Sequence, residues 1–211
     1  MAKLKIGILG AITGLVGTVV GSTWRGIAYI RSKGPETRSN SSEDQKKQQS
    51  KFGLMVNFLH SMKDLLQLGY KDHGTRMTEI NSALSYNIKN AITGNYPDYA
   101  IAYPMVQISR GNLPNAKSPA ASAETAGAIN FNWLNNAGIG KAKAGDRAIL
   151  VAHCPELQQT VYIVDPLRSA AAGVLAVPEF SGMDVQTWIS FLSEDKKDVS
   201  TSIFTGEVNV L

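Results

Sequence analysis

The apolar positions of this chain change rhythm three times. From Gly34 to Ser50 the sequence GPETRSNSSEDQKKQQS is polar and nearly free of apolar side chains. Phe52, Met55, Phe58, Leu59, Met62, Leu65 and Leu66 then recur at steps of three and four until Gly69. That spacing predicts an amphipathic helix over about 43–68, with Ser41 or Ser42 as cap and Glu43 and Asp44 at the positive end of its dipole. Ile80, Leu84, Ile88 and Ile92 predict a second helix over about 78–93, ending at Gly94. The two helices would pack on each other or cover a sheet. Beyond Pro97 the texture becomes short alternating runs between turn residues. Strands are expected at 99–109, with Pro104 marking an edge or a break, and at 128–134, 147–153, 160–165, 173–177, 186–193 and 202–210. Seven strands at this spacing have the rhythm of an immunoglobulin-like or fibronectin-like sandwich. Ile129, Phe131 and Trp133 would point inward on one strand, and Trp188 and Leu192 on another.

The head of the chain is different again. Ile6 to Thr23 runs without a charge, and its glycines fall at Gly7, Gly10, Gly14, Gly17 and Gly21. A secretory signal would have a similar outline, with Lys3 and Lys5 in front, but its core would not be broken by glycine every third or fourth residue. As a membrane helix the run is short against the ~20 residues needed to span, although it contains two GxxxG pairs. A third reading fits the next residues better. Trp24 to Arg31 alternates, placing Arg25, Ile27, Tyr29 and Arg31 on one face and Trp24, Gly26, Ala28 and Ile30 on the other. Leu15–Val20 is β-branched, and Gly21-Ser22 is a plausible hairpin turn. The head therefore reads as glycine-rich β-hairpins, with glycines where the chain bends or another backbone comes close. Such hairpins need further packing partners.

Composition adds limits. The 211 residues are 44% hydrophobic, enough for a packed core, and only 18% charged. Net charge is +4, but residues 1–51 hold nine Lys and Arg against three acids, a surplus of +6. A basic head could meet nucleic acid, an anionic membrane or an acidic partner, although a solvated linker and helix face explains it as well. Trp24 and Tyr29 beside Arg25 and Arg31 are only a sparse version of a nucleic-acid platform. The single cysteine, Cys154, excludes an internal disulfide framework. His153 and Cys154 are adjacent in an expected strand, so they face opposite ways and cannot easily share a metal. His60 and His73 stand alone in helix and loop.

No GxxxxGK[ST], CxxC, HExxH or GxSxG motif is present. Gly7–Gly10 imitates a dinucleotide fingerprint only loosely. Glu194, Asp195 and Asp198 alternate with Lys196 and Lys197 as in a charged hairpin loop. Asp146-Arg147 and Asp165 read as strand-boundary residues that form turns and surface pairs. Nothing groups a nucleophile, a base and an oxyanion donor, so the expectation is a protein that is not an enzyme, with no catalytic residues, cofactor or metal.

The head has the form GxVGxxVGxxWxGxxYxR, carried here by Gly14, Val16, Gly17, Val20, Gly21, Trp24, Gly26, Tyr29 and Arg31, with Gly7 and Gly10 before it. In this it resembles a family of small Bacteroidota proteins of unknown function, often encoded in several copies. Gln45, Gln48, Lys51 and Phe52, then Ser85-Tyr86-Asn87, Ser109-Arg110-Gly111 and the tail from Phe191 to Val208 continue the likeness over nearly the full length. Leu15 stands where similar heads usually carry Lys, which makes this head more apolar. The head and the Gln-rich passage are also similar to those of small phage and prophage virion proteins.

These readings converge on an α+β chain in three regions: a glycine-rich β-hairpin arm (1–33), a polar linker with a helical pair (34–97) and an Ig-like or fibronectin-like β-sandwich (98–211). The resemblance implies a non-enzymatic, self-assembling subunit of a phage virion, phage tail or tail-like particle, assembled in the cytoplasm. Its partners would be further copies or other structural subunits, with nucleic acid and membrane less suited. Gly10, Gly14, Gly17, Gly21, Trp24, Arg25, Tyr29, Arg31, Phe52 and Met55 are the expected assembly contacts. The alternative is a surface-displayed or secreted adhesion or ligand-binding module, with the head as export signal or anchor.

Overall fold

The computed structural model describes residues 3–4, 10–34, 41–71 and 77–211. Gly7 of the glycine ladder, residues 35–40 of the polar linker and His73 lie outside the described residues. The chain divides into two compact units, residues 1–42 and 43–211.

The first unit is an antiparallel meander of four strands in sequence order: β1 (Lys3–Leu4), β2 (Ile12–Val16), β3 (Val19–Trp24) and β4 (Ile27–Ser32). Its turns do not fall at Gly21-Ser22, where the sequence suggests one. Gly17-Thr18 joins β2 to β3 and Arg25-Gly26 joins β3 to β4, while Gly21 pairs with Gly14 on one side and Ile30 on the other. Arg25 and Gly26 both have positive φ, 48° and 81°, the conformation of a two-residue type I′ turn, which matches strand twist. Because those two residues leave the strand, Trp24 pairs directly with Ile27 and shares a face with Ile27 and Tyr29. Alternation counted straight through the turn had put them on opposite faces.

The second unit holds α1 (Glu43–His60), α2 (Lys63–Gly69), α3 (Glu79–Asn90) and nine strands among the described residues. The expected helix over 43–68 is broken at Ser61 and Met62, whose N–H groups turn back to Phe58 and Leu59. The Ser61 hydroxyl explains the break: it donates to the Phe58 carbonyl and also contacts Thr160 of a strand below. Thr78 caps α3, its Oγ1 accepting from Asn81 N. The helix stops before Gly94, because Ile92 already belongs to a hairpin of β5 (Ile92–Asn95) and β6 (Asp98–Ile101). The strand expected at 99–109 accordingly shrinks to β6, followed by a 3-10 turn at Tyr103–Met105 with Pro104 inside it.

Seven strands build the sandwich. β10 (Gln159–Leu167), β9 (Arg147–Cys154), β12 (Asp184–Leu192) and β13 (Ile203–Asn209) form one sheet in that order. β11 (Ala172–Ala176), β8 (Ala128–Leu134) and β7 (Lys117–Thr125) form the other. Between them lie Ile129, Phe131 and Trp133 of β8, Leu150, Ala152 and Cys154 of β9, and Val185, Ile189 and Phe191 of β12. The outer face of the four-stranded sheet is covered by the helices. Met55, Phe58, Leu59, Met62, Leu65 and Leu66 pack there on Ile149, Val151, Trp188 and Leu192. Helices and sandwich thus share a core, and Trp188 and Leu192 face the helices rather than the sandwich interior. β9 and β12 are buried on both faces, so they read as continuous apolar runs.

Candidate assembly surface

The arm is a sheet without a core of its own. Among its described residues only Gly21 is buried, whereas Trp24 is 59% exposed, Ile27 66% and Ile30 62%. A side chain at Gly21 would collide with the Ile12 carbonyl, so this glycine serves close backbone packing inside the arm. Gly14 pairs with it across the ladder. Gly21 is thus buried inside the arm rather than placed to meet another molecule, which corrects its assignment as a contact. Gly17 is an exposed turn residue, and Gly10 precedes β2.

One face of the arm groups Leu15, Val20, Trp24, Ile27, Tyr29 and Arg31 through the pairs Leu15–Val20, Val20–Arg31, Ser22–Tyr29 and Trp24–Ile27. The guanidinium of Arg25 lies 5.4 Å from the Trp24 ring centre, a cation–π contact that orients the indole. Trp24, Arg25, Tyr29 and Arg31 are therefore brought together on an exposed surface. Phe52 is also exposed, at 53%, but belongs to the second unit. Met55 is fully buried in the helix–sheet core and is no contact residue: position a turn away on the same apolar stripe separates the two.

The last strand of the arm is regular, and among the described residues no strand pairs with its outer edge. β4 pairs with β3 residue for residue from Ile27 to Ser32, with no bulge or proline, and all six residues are exposed. In a two-residue hairpin Trp24 and Ile27 exchange both backbone hydrogen bonds, so Tyr29 and Arg31 also bond to β3. The bond from Lys33 N to Thr18 O, 2.7 Å, continues that parity. The N–H and C=O groups of Ala28, Ile30 and Ser32 consequently face away from β3.

Each sandwich edge is blunted instead. β10 carries Pro166 and a register break before Leu167. β13 is interrupted opposite Thr187 and Trp188, where Gly206 has φ 115°. β7 contains Pro119 and two register breaks, and β11 is only five residues long. These are the devices that stop sheets from pairing edge to edge.

The other residues singled out in the sequence have structural work. Arg147 pairs with Asp165 at 2.8 Å on the surface, as expected. Asp146 does not: its Oδ2 accepts from Arg168 Nε at 3.1 Å, with both side chains fully buried. Arg168 also donates to Asn136 Oδ1 and the Pro114 carbonyl, and its guanidinium sits 3.8 Å from the Phe191 ring centre. Burial lowers the Arg168 pKa, and the Asp146 charge works against that. This cluster ties loops to the sandwich and had no sequence signal, because an arginine at a strand end looks like a surface residue. In the 193–198 loop the Ser193 hydroxyl donates to Asp195, holding its carboxyl below the ordinary range, and accepts from the Lys197 and Asp198 N–H groups. That is the charged turn the sequence suggests. His153 and Cys154 do point to opposite faces, His153 among the helices' aromatic residues and Cys154 into the sandwich core. Among the described residues no three His, Cys, Asp or Glu side chains could jointly hold a metal ion, and no helix is long and apolar enough to cross a membrane.

Residues 11–206 match the model of a family described as "Family of unknown function (DUF6266)". No curated protein matches the chain. Among solved structures it is similar to the solution structure of the fn3 domain of the human collagen alpha-1(XX) chain, at 12% identity and a TM-score of 0.36. That likeness covers 47% of this chain and 89% of the other.

Proposed function

The chain belongs to the DUF6266 family of unknown function, and from that premise we propose that it is a non-enzymatic, self-assembling structural subunit whose N-terminal arm joins copies. The supporting observation is the contrast in edges. β4 offers a regular edge that no described strand pairs, while every edge of the sandwich carries a bulge, a proline or too few residues. In this reading the outward N–H and C=O groups of Ala28, Ile30 and Ser32 hydrogen-bond to β4 of a second copy running antiparallel. Trp24 and Tyr29, with Arg25 and Arg31, pack beside the seam. A strand paired with its own copy closes on a two-fold axis, so the first product is a dimer. A larger particle, a phage virion, tail or tail-like assembly formed in the cytoplasm, is built when other structural subunits add a second interface.

Size-exclusion chromatography with light scattering tests this. Full-length protein is expected to elute as a dimer or larger, and a variant lacking residues 2–33 as a folded monomer. Particles that persist without the arm, by the same measurement or in negative stain, would overturn the proposal. Cleavage after about residue 21 in natively made protein, read by N-terminal sequencing, would replace it with export of a surface-displayed module.

A further inference from the structure

The arm concentrates charge of one sign. Residues 1–34 carry Lys3, Lys5, Arg25, Arg31 and Lys33 and no Asp or Glu. On its aromatic face β4 contributes Ile27, Tyr29 and Arg31, and β3 contributes Trp24, Ser22 and Val20 opposite them. Alternation along the sequence splits the two aromatic residues between faces; the Arg25-Gly26 turn unites them. Trp24 is 59% exposed and Tyr29 43%, so both offer ring surface to solvent. Tyr29 is the diagonal neighbour of Trp24, and such neighbours on one face of an antiparallel pair stand about 7 Å apart.

Cations accompany both rings. Arg31 follows Tyr29 on the same side of β4, and the Arg25 guanidinium lies 5.4 Å from the Trp24 ring centre. An arginine beside each ring places positive charge within reach of the phosphates that flank a stacked base. An anionic membrane also attracts aromatic and basic residues together. Here, however, Ser22 stands between Val20 and Trp24, and Arg31 opposite Val20. Sinking the rings into acyl chains would bury a hydroxyl and a charge with them. A nucleic acid presents ring faces and phosphates together, and single strands are the form whose bases are free to stack on a protein. The aliphatic Leu15, Val20 and Ile27 beside the rings would meet sugars. A 2′-hydroxyl pressed against them loses water and gains no partner, which favours deoxyribose.

We propose that this face of the arm binds single-stranded DNA, two neighbouring bases stacking on Trp24 and Tyr29 while Arg25 and Arg31 meet the phosphates. Stacking on aromatic side chains is tolerant of base identity, so the binding is not sequence-specific. It uses the face of the sheet, whereas assembly uses the edge of β4, so either can fail without the other.

Full-length protein titrated into a fluorescein-labelled oligo-dU of about twelve nucleotides tests the idea by anisotropy. Binding should saturate and weaken with salt, log K falling with log [salt] at a slope of about −0.7 per phosphate contact. Trp24 gives a second readout, because Trp133 and Trp188 are only 4% and 0% exposed: unlabelled oligo-dU should quench the Trp24 emission. Trp24→Ala and Tyr29→Ala should each weaken binding about tenfold, whereas Trp24→Phe, which keeps a ring, should lose about threefold. Arg31→Gln should weaken it and flatten the salt slope by about 0.7. Oligo-rU of the same length, and the dU strand paired with its complement, should bind several-fold more weakly. The proposal is overturned by the absence of saturable binding, by full affinity in the Trp24→Ala/Tyr29→Ala double variant, or by equal affinity for oligo-rU or duplex. A blue shift of Trp24 on phosphatidylserine vesicles without quenching by oligo-dU would overturn it in favour of a membrane. The comparison of probes on unaltered protein stands even if a variant fails to fold.

Discussion

The arm and the sandwich are both antiparallel sheet, yet their backbones are finished in opposite ways. In the sandwich, β9 and β12 are buried on both faces and the outer strands are broken by Pro119, Pro166 and Gly206. Among the described residues of the arm nothing but Gly21 is buried, and β4 ends the sheet in perfect register. Sheet stability comes from the faces, whereas adhesion comes from edges. One chain can therefore hold a buried core beside a sheet whose described faces are exposed.

Four measurements would break or sharpen that contrast. The largest effect is expected in the sandwich core: Phe191→Ala removes a ring packed on Trp133 and Arg168 and should cost about 4 kcal/mol in urea denaturation. Trp24→Ala in the arm should change the unfolding of residues 43–211 by less than about 0.5 kcal/mol. Next, Asp146→Ala leaves the buried Arg168 charge unpaired and should cost about 3 kcal/mol, while Arg147→Ala, which breaks an exposed pair, should cost under about 1 kcal/mol. The comparison of these two variants by thermal melting separates burial from mere pairing.

Third comes pH. Folded His153 protonates only near pH 4, against 6.5 for the ordinary group, so between those values the unfolded state holds more protons. Stability is full above about pH 6.5 and falls as the pH drops toward 4, by up to about 3 kcal/mol. His153→Gln should flatten this slope, and deletion of residues 2–33, which contain no histidine, should leave it unchanged. Last, Ile30→Pro removes an outward N–H from β4 and should weaken self-association about tenfold, roughly 1.4 kcal/mol, with no change in melting. Sedimentation velocity over a concentration series reads it, and unchanged association would show that the edge is not the contact.

The sequence made regular periodicity legible and left pairing hidden. Helical spacing located α1 and α3, and alternation located β8 to β13 within a few residues. β7 was missed because Lys117–Thr125, KSPAASAET, has no large apolar residue; its pairing with β8 makes it a strand. Ser61 broke the first helix through a contact with Thr160, ninety-nine positions away, that no local pattern carries. In the arm, composition was enough to suggest β structure but not the turn, because Arg25 does not look like a residue of positive φ. Met55 and Phe52 lie on one apolar stripe, and only packing tells the buried one from the exposed one. The surroundings of His153 were hidden for the same reason: Phe58 of α1 and Thr160 of β10 meet it from elements far apart in the chain.

The arm's register has a temporal side. β3–β4 pairs near neighbours, Trp24 with Ile27 and Val19 with Ser32, while the central strands of the sandwich must bring Arg147 to Leu192. Local hairpins close in microseconds, and sandwiches with distant pairings take milliseconds to seconds. During synthesis the arm is also made before the sandwich. If the arm joins copies as proposed, the β4 edge would be on offer while the body is still unfinished, and neighbouring nascent chains on one messenger would meet before release.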